Sequence, residues 1–234
     1  MIAGLSVAVV VPAFDEEARV GRTVARVPGL VDHVVVVDDA SRDGTARAAG
    51  ASGDPRVTVV RHAQNRGVGA AIATGYREAR RRGADLVAVM AGDDQMDPDD
   101  LPALLAPLVS GRADYVKGNR LGHPRAREMP AHRRLGTWAL GRATSWAIGA
   151  PLGDSQCGYT AITGALIDAL PLERLFPRYG YPNDLLSMIA RSGGRIAEAP
   201  VRPVYAGERS GLRPWHVAVM LGLIGRARAR RAWG

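Results

Sequence analysis

Carboxylates gather in this sequence just after runs of apolar, mostly β-branched residues. Glu16 follows residues 7–11, Asp38 and Asp39 follow residues 34–37, and Asp93, Asp94 and Asp97 follow residues 86–90. If those runs are parallel strands, the carboxylates lie at their carboxyl ends, where open α/β sheets bind ligands. Clustered carboxylates repel one another unless a cation or hydrogen-bond donors compensate. A hard divalent ion, Mg2+ or Mn2+, shared with substrate phosphates would do so. The plainer reading is that Asp38, Asp43 and Asp97 cap the helices that follow.

Arginine is the second chemical resource. The formal net charge is +8, and Lys117 is the only lysine among 31 basic residues. Such a balance suits anionic lipid, nucleic acid or phosphorylated ligands. Guanidinium forks match phosphate oxygens two at a time. Arg120, Arg134 (or its neighbour Arg133), Arg209 and Arg213 are the candidates for phosphate contacts. Cys157 is the only cysteine, so an intrachain disulfide and a multi-cysteine metal cage are excluded.

These side chains need a scaffold, and the pattern of the chain supplies one. The valine runs at 7–11, 34–37 and 57–60, with 86–90, read as strands buried on both faces. Helical composition fills 16–27 with Asp15 as N-cap, a short stretch from Thr45, and 70–82, which ends at Gly83. A further helix spans 98–109, opened by Pro98. The alternation implies βαβ units and a mainly parallel sheet. Regularity fades after Tyr115. Residues 122–131 read as a mobile loop, 131–148 as a helix broken by Gly149-Ala150-Pro151, 196–201 as a strand, and the chain from Pro214 as a helix. One α/β domain over 1–213 is expected, divided near 120 into two halves, with 214–234 as an appended amphipathic helix. The start of the chain lacks a basic, then long apolar, leader, and no apolar run approaches the roughly 20 residues that cross a bilayer.

Six segments carry a resemblance. They are Val9-Val10-Val11-Pro12-Ala13-Phe14-Asp15-Glu16-Glu17, Val36-Val37-Asp38-Asp39-Ala40-Ser41-Arg42-Asp43-Gly44-Thr45 and His62-Ala63-Gln64-Asn65-Arg66-Gly67-Val68-Gly69. Met90-Ala91-Gly92-Asp93-Asp94-Gln95-Met96-Asp97-Pro98, Gly118-Asn119-Arg120 and Asp154-Ser155-Gln156-Cys157-Gly158-Tyr159 follow in order. Together they resemble the inverting glycosyltransferases of the GT-A (Rossmann-like) fold, in particular the dolichyl- and polyprenyl-phosphate mannosyltransferase-like members of glycosyltransferase family 2. The likeness covers roughly residues 5 to 215.

The resemblance implies a nucleotide-sugar half over about 1–120 and an acceptor half over 121–213. It implies that Asp38 accepts hydrogen bonds from the base, that Pro12, Phe14 and Glu16 line the base and ribose pocket, and that Asp39 and Asn65 belong to the same nucleotide site. Asp93 and Gln95 would hold the metal against the diphosphate. The first acid of the usual Asp-x-Asp is Ala91 here, so the ion would rely more on phosphate and water. Arg120 sits in a phosphate-binding motif and Arg209 near a late acceptor loop. Asp154 and Asp184, in the acceptor half, would serve as base or orient the acceptor. Asp93, Arg120, Asp154 and Asp184 are thus the expected catalytic set.

The implied reaction is metal-dependent inverting transfer of a hexosyl group, from a nucleotide diphosphate sugar of the GDP-mannose or UDP-glucose type, to a polyprenyl phosphate. A glycan hydroxyl is the alternative acceptor. Residues 215–224 are apolar, and Arg226, Arg228, Arg230, Arg231 and Trp233 follow. That pattern suits an interfacial anchor, so a cytoplasmic enzyme peripheral at the cytoplasmic membrane is expected; the rival is a helix packed on the core. A nucleotidyltransferase would carry a Gly- and Lys/Arg-rich phosphate loop immediately after the first strand, where this chain has Pro12-Ala13-Phe14-Asp15-Glu16. A dehydrogenase would need Gly where Ile72 stands. A non-catalytic lipid- or nucleic-acid-binding module leaves the acidic cluster unexplained, and nucleic acid is not an expected partner.

Overall fold

The computed structural model describes residues 1–204 and 214–232. Seven strands form one sheet: β1 (Val7–Ala13), β2 (His33–Asp38), β3 (Val57–Arg61), β4 (Leu86–Val89), β5 (Tyr115–Asn119), β6 (Thr160–Thr163) and β7 (Ile196–Pro200). Their order is β3-β2-β1-β4-β6-β5-β7. β1 pairs in parallel with β2 and β4, and β2 with β3. β6 runs antiparallel to both of its neighbours, β4 and β5.

The valine runs place β1 and β2 inside the parallel part of the sheet because both of their faces are apolar. Alternate residues feed two cores. Val7, Val9, Val11, Val34 and Val36 face one side with Leu101, Leu104 and Leu105 of α4 (Leu101–Val109), and with Val20 and Val24 of α1 (Val20–Ala25). Ala8, Val10, Val35 and Val37 face the other with Ile72 and Tyr76 of α3 (Val68–Arg81) and Leu185, Leu186 and Ile189 of α7 (Tyr181–Arg191). The side-chain period of two thus produces a three-layer α/β/α domain. Gly75 lets α3 approach β1 closely: a Cβ there would meet Val10 Cγ1 at 2.2 Å.

Three local readings differ from expectation. The helix expected over 16–27 is confined to α1, and Asp15 is not its cap. Asp15 has φ 55°, and its carboxylate accepts from Arg42 N, so it braces a loop of the next βα unit. Residues 122–131 include a 3-10 turn, Pro124–Glu128, capped by His123. Beyond Tyr115, β5, β6, α6 (Gly164–Ala169) and α7 appear where no regular pattern was legible. The remaining helices are α2 (Thr45–Gly50), α5 (Ala131–Ile148) and α8 (Pro214–Ala232). The sheet continues from β4 into β6 without a break, so the two halves share one layer.

Met220, Leu223, Ile224 and Ala227 of α8 are buried, and Ile224 and Ala227 pack on Leu140, Ala143 and Ala147 of α5. The C-terminal end of α8 meets that of α5: the Arg231 guanidinium lies where a Cβ on Gly149 would be, and Arg228 sits 4.9 Å over the Trp146 ring. The two helices therefore run side by side in the same direction. Among the described residues, no helix is long and apolar enough to cross a membrane.

Candidate active site

The strand order changes direction at β1, whose neighbours are β2 on one side and β4 on the other. In open α/β sheets the crevice outside such a point is where ligands bind. A cavity of about 850 Å³ opens there, lined by Pro12, Phe14, Glu16, Asp39, Asn65 and Asp93 among others. Six of the residues expected in the nucleotide and metal sites therefore share one wall. The turn after β1 is fixed from below. Asp39 N donates to Ala13 O at 2.9 Å, Asp15 N to Ser41 Oγ at 3.0 Å and Glu16 N to Thr45 Oγ1 at 2.8 Å.

The two neighbouring aspartates at the end of β2 do different work. Asp39 lines the cavity, but its carboxylate is filled: it accepts from Arg66 N at 2.8 Å and Gly67 N at 2.6 Å, and pairs with His62 Nδ1 at 2.7 Å. It shapes the loop that carries Asn65, whose amide donates to Asp39 O. Gly67, at φ 92°, opens α3 against Pro177 O. Asp38 is fully buried behind the wall. Its Oδ1 accepts from Ser41 N, while Oδ2 has no hydrogen-bond donor. The Arg61 Nε lies 3.1 Å from Oδ2, outside hydrogen-bond alignment, on a side chain that is largely exposed. A buried carboxylate oxygen without a donor is costly; Asp38 does not itself line the cavity.

Asp93 sits beyond the end of β4, held beside β1 by Gly92 N donating to Pro12 O. A Cβ at Gly92 would come within 3.1 Å of Ala13 Cβ, so glycine sets the closeness of the two loops. Asp93 Oδ1 accepts from Gln95 N. The other acids nearby are engaged elsewhere: Asp94 pairs with Arg22 and Arg26, and Asp97 caps Asp99 N and pairs with Arg202. Asp43 accepts from Thr45 N and Glu17 N, but the N-cap position of α2 is Gly44, so Asp43 is not its cap. Among the described residues, no group of three or more His, Cys, Asp or Glu converges into a metal cage. Asp93 lines the cavity while Gln95 does not; a single carboxylate there still fits Mg2+-type binding, which uses one or two carboxylates with substrate phosphates and water.

Arg120 and Asp154 form a separate, tightly built pair. Asp154 is fully buried and accepts from Arg120 Nε at 2.7 Å, Arg120 Nη2 at 3.1 Å, Gln156 N and Cys157 N. Burial alone would push its carboxyl up, but the Arg120 guanidinium and Lys117 hold it below the ordinary value. Glu198 of β7 accepts from Gly153 N and Asp154 N, securing the loop. Asp184, by contrast, faces a second cavity on the α3/α7 side, and its carboxylate accepts from Phe176 N at 2.8 Å. Arg134 lies exposed in the first turn of α5. Arg209 and Arg213 lie outside the described residues.

The far wall of the nucleotide-side cavity was not legible in the sequence. Arg178, Tyr179, Trp215 and His216 complete it, with the Tyr179 and His216 rings 4.5 Å apart and Trp215 edge-on at 5.3 Å. Only the return of α8 onto α7 brings them there, and no local motif signals it. Lys117, wholly buried in β5 near Asp154, is the other unforeseen group.

A model of glycosyl transferase family 2 matches residues 8–157. The chain is 32% identical over 203 residues to an undecaprenyl-phosphate mannosyltransferase of Micrococcus luteus, spanning 84% of this chain and 83% of that protein. It is 26% identical over 212 residues to a UDP-N-acetylglucosamine–dolichyl-phosphate N-acetylglucosaminyltransferase of Methanococcus voltae, 84% of each chain. Among solved structures, glucosyl-3-phosphoglycerate synthase of Mycobacterium tuberculosis, in complex with Mn2+, UDP and phosphoglyceric acid, superposes with a TM-score of 0.69. The identity is 26%, over 98% of this chain and 79% of that one.

Proposed function

The chain belongs to glycosyl transferase family 2 and is a GT-A fold glycosyltransferase, and from that premise we propose that it transfers a hexosyl group, with inversion, from a nucleotide diphosphate sugar to a polyprenyl phosphate. The observation that carries the donor half is the cavity at the β1/β4 crevice, which gathers Pro12, Phe14, Glu16, Asn65 and Asp93. Asp38 Oδ2, which lacks a hydrogen-bond donor, would accept from a base N–H if the Arg61 side chain, 3.1 Å away, swung aside. Asp93 and Gln95 would hold Mg2+ or Mn2+, which when bound neutralises charge on the leaving diphosphate. Arg120, whose Nε and Nη2 are held by Asp154, would be the protein's own cation for phosphate oxygens, although it does not line the cavity.

The acceptor follows from proton chemistry. A sugar hydroxyl would need a general base. Asp154 is saturated by donors and held ionised below the ordinary range, and Asp184 is engaged with Phe176 N, away from the nucleotide-side cavity. A phosphate monoester, with a second pKa of about 6, attacks without one. The names of the Micrococcus and Methanococcus relatives support a polyprenyl-type phosphate acceptor. The exposed Leu135, Trp138 and Trp146 of α5 and Trp215 and Leu221 of α8, with Arg228 on Trp146, support contact with a membrane surface. That contact would make the enzyme peripheral at the cytoplasmic membrane.

The deciding experiment offers a panel of radiolabelled sugar nucleotides with Mn2+ and three acceptors: a polyprenyl phosphate, 3-phosphoglycerate and a glycan. Label passing to the polyprenyl phosphate, and lost in Asp93→Asn, is the expected result. Transfer only to the glycan, or an Asp93→Asn variant of unaltered activity, refutes the reading.

A further inference from the structure

The second cavity, of about 990 Å³, lies between α3, α7 and α8, behind the loop that also walls the nucleotide side. Phe176 lines both cavities, so the two are back to back. Six arginines line this one against two carboxylates. Both carboxylates are engaged: Asp184 accepts from Phe176 N, and Glu173 stands 3.8 Å from Arg174. Arg66, Arg77, Arg191, Arg226 and Arg230 have no ion-pair partner among the described residues.

Single arginines without an ion pair, such as Arg112, Arg127 and Arg142, occur elsewhere among the described residues; here five share one concavity, whereas others are neutralised. Arg56 is held by Asp54, Arg80 by Asp168 and Arg195 by Asp114. The unpaired arginines come from separate elements: the loop before α3, the third turn of α3, the last turn of α7, and two positions one turn apart on α8. Like charges brought together on a concave surface, over buried Leu170, Leu172 and Leu223, are unfavourable unless an anion neutralises them. The planar guanidinium fork favours phosphate over other anions.

We propose that this cavity is a second anion site, distinct from the nucleotide cavity, which takes a diphosphate or a phosphorylated head group. Arg226 and Arg230 grip it from α8 while Arg77 and Arg191 face them from α3 and α7. The basic end of α8 is thereby divided: Arg228 and Arg231 turn to α5, and Arg226 and Arg230 turn to this cavity.

Calorimetry on the full chain at low salt, with a chelator present, tests the idea using inorganic diphosphate in one arm. The other arm compares vesicles of phosphatidylcholine with vesicles containing phosphatidate. Two double variants, Arg226→Gln/Arg230→Gln and Arg77→Gln/Arg191→Gln, accompany the wild type, with thermal melting confirming that each is folded. Binding in either arm that weakens roughly tenfold or more in both variants supports the site. A response to diphosphate identifies a free phosphate ligand, and a response to phosphatidate alone identifies a lipid head group. No binding in either arm, or loss in fewer than both variants, overturns it.

Discussion

Lys117 offers the sharpest test of the physical reasoning. It is fully buried in β5, level with Thr160 of β6 and Glu198 of β7, and its Nζ has no hydrogen-bond partner among the described residues. Burial, partly offset by Cys157 and Asp154, pulls its pKa down from 10.5 to about 8. At about 1.4 kcal/mol per tenfold, that displacement amounts to roughly 3 kcal/mol favouring the neutral amine in the fold. Between pH 8 and 10.5 the unfolded chain holds a proton that the folded chain has released. Stability therefore rises with pH across that window. Below pH 8 the full penalty of a buried ammonium is present. Lys117→Met removes the titration while keeping the volume. Urea unfolding of both proteins at pH 7.5 and 10.5 should show the wild type gaining on the variant by about 3 kcal/mol as pH rises. Tyr76, Tyr115, Tyr159 and Tyr181, all raised by burial, impose the opposite slope at high pH on both proteins, so the difference reports Lys117 together with its coupling to Cys157, whose thiol burial also raises. Superimposable pH profiles for the two proteins would refute the argument.

Asp38→Ala should weaken metal-free binding of the nucleoside diphosphate by about 1–3 kcal/mol, because the contact is to the base; unchanged calorimetric affinity would remove Asp38 from the site. Asp154→Asn should destabilise the fold by about 3–5 kcal/mol at pH 7, since it removes a buried charge that accepts from Arg120, Gln156 N and Cys157 N. Because Asp154 is held below its unfolded value, its contribution is present above about pH 4 and is lost as pH falls through the folded value. The acid limb of the unfolding profile should therefore flatten in the variant, and an unaltered limb counts against the pair. Trp138→Ser/Trp146→Ser should release the protein from anionic vesicles in cosedimentation without lowering the melting temperature by more than about 1 kcal/mol equivalent, both rings being half exposed or more. Unchanged sedimentation would show that the exposed faces of α5 and α8 are not the membrane contact.

What the sequence alone determined is what short-range physics encodes. Unbroken valine runs can be satisfied only as strands covered on both sides, so β1 and β2 were legible as interior strands of a parallel sheet. The carboxylates after those runs had to fall at the ligand-binding edge, and the motifs around Asp38, Asn65 and Asp93 could be read in order. The four-residue run of β6 carries too few alternations to distinguish a strand, and its antiparallel direction depends on pairing with β4 and β5. Neighbouring Asp38 and Asp39 look alike in the chain. Which of them is saturated depends on where the loop after β3 returns, because its N–H groups reach Asp39 and leave Asp38 Oδ2 bare. The arginines of α8 likewise read as one basic tail. Packing on α5 and α7 splits them: at 100° per residue, positions 226 and 230 turn toward α7 while 228 and 231 turn toward α5. Helical period is a local property, but which neighbour meets each face is decided by long-range burial, and the second cavity exists only once that choice is made.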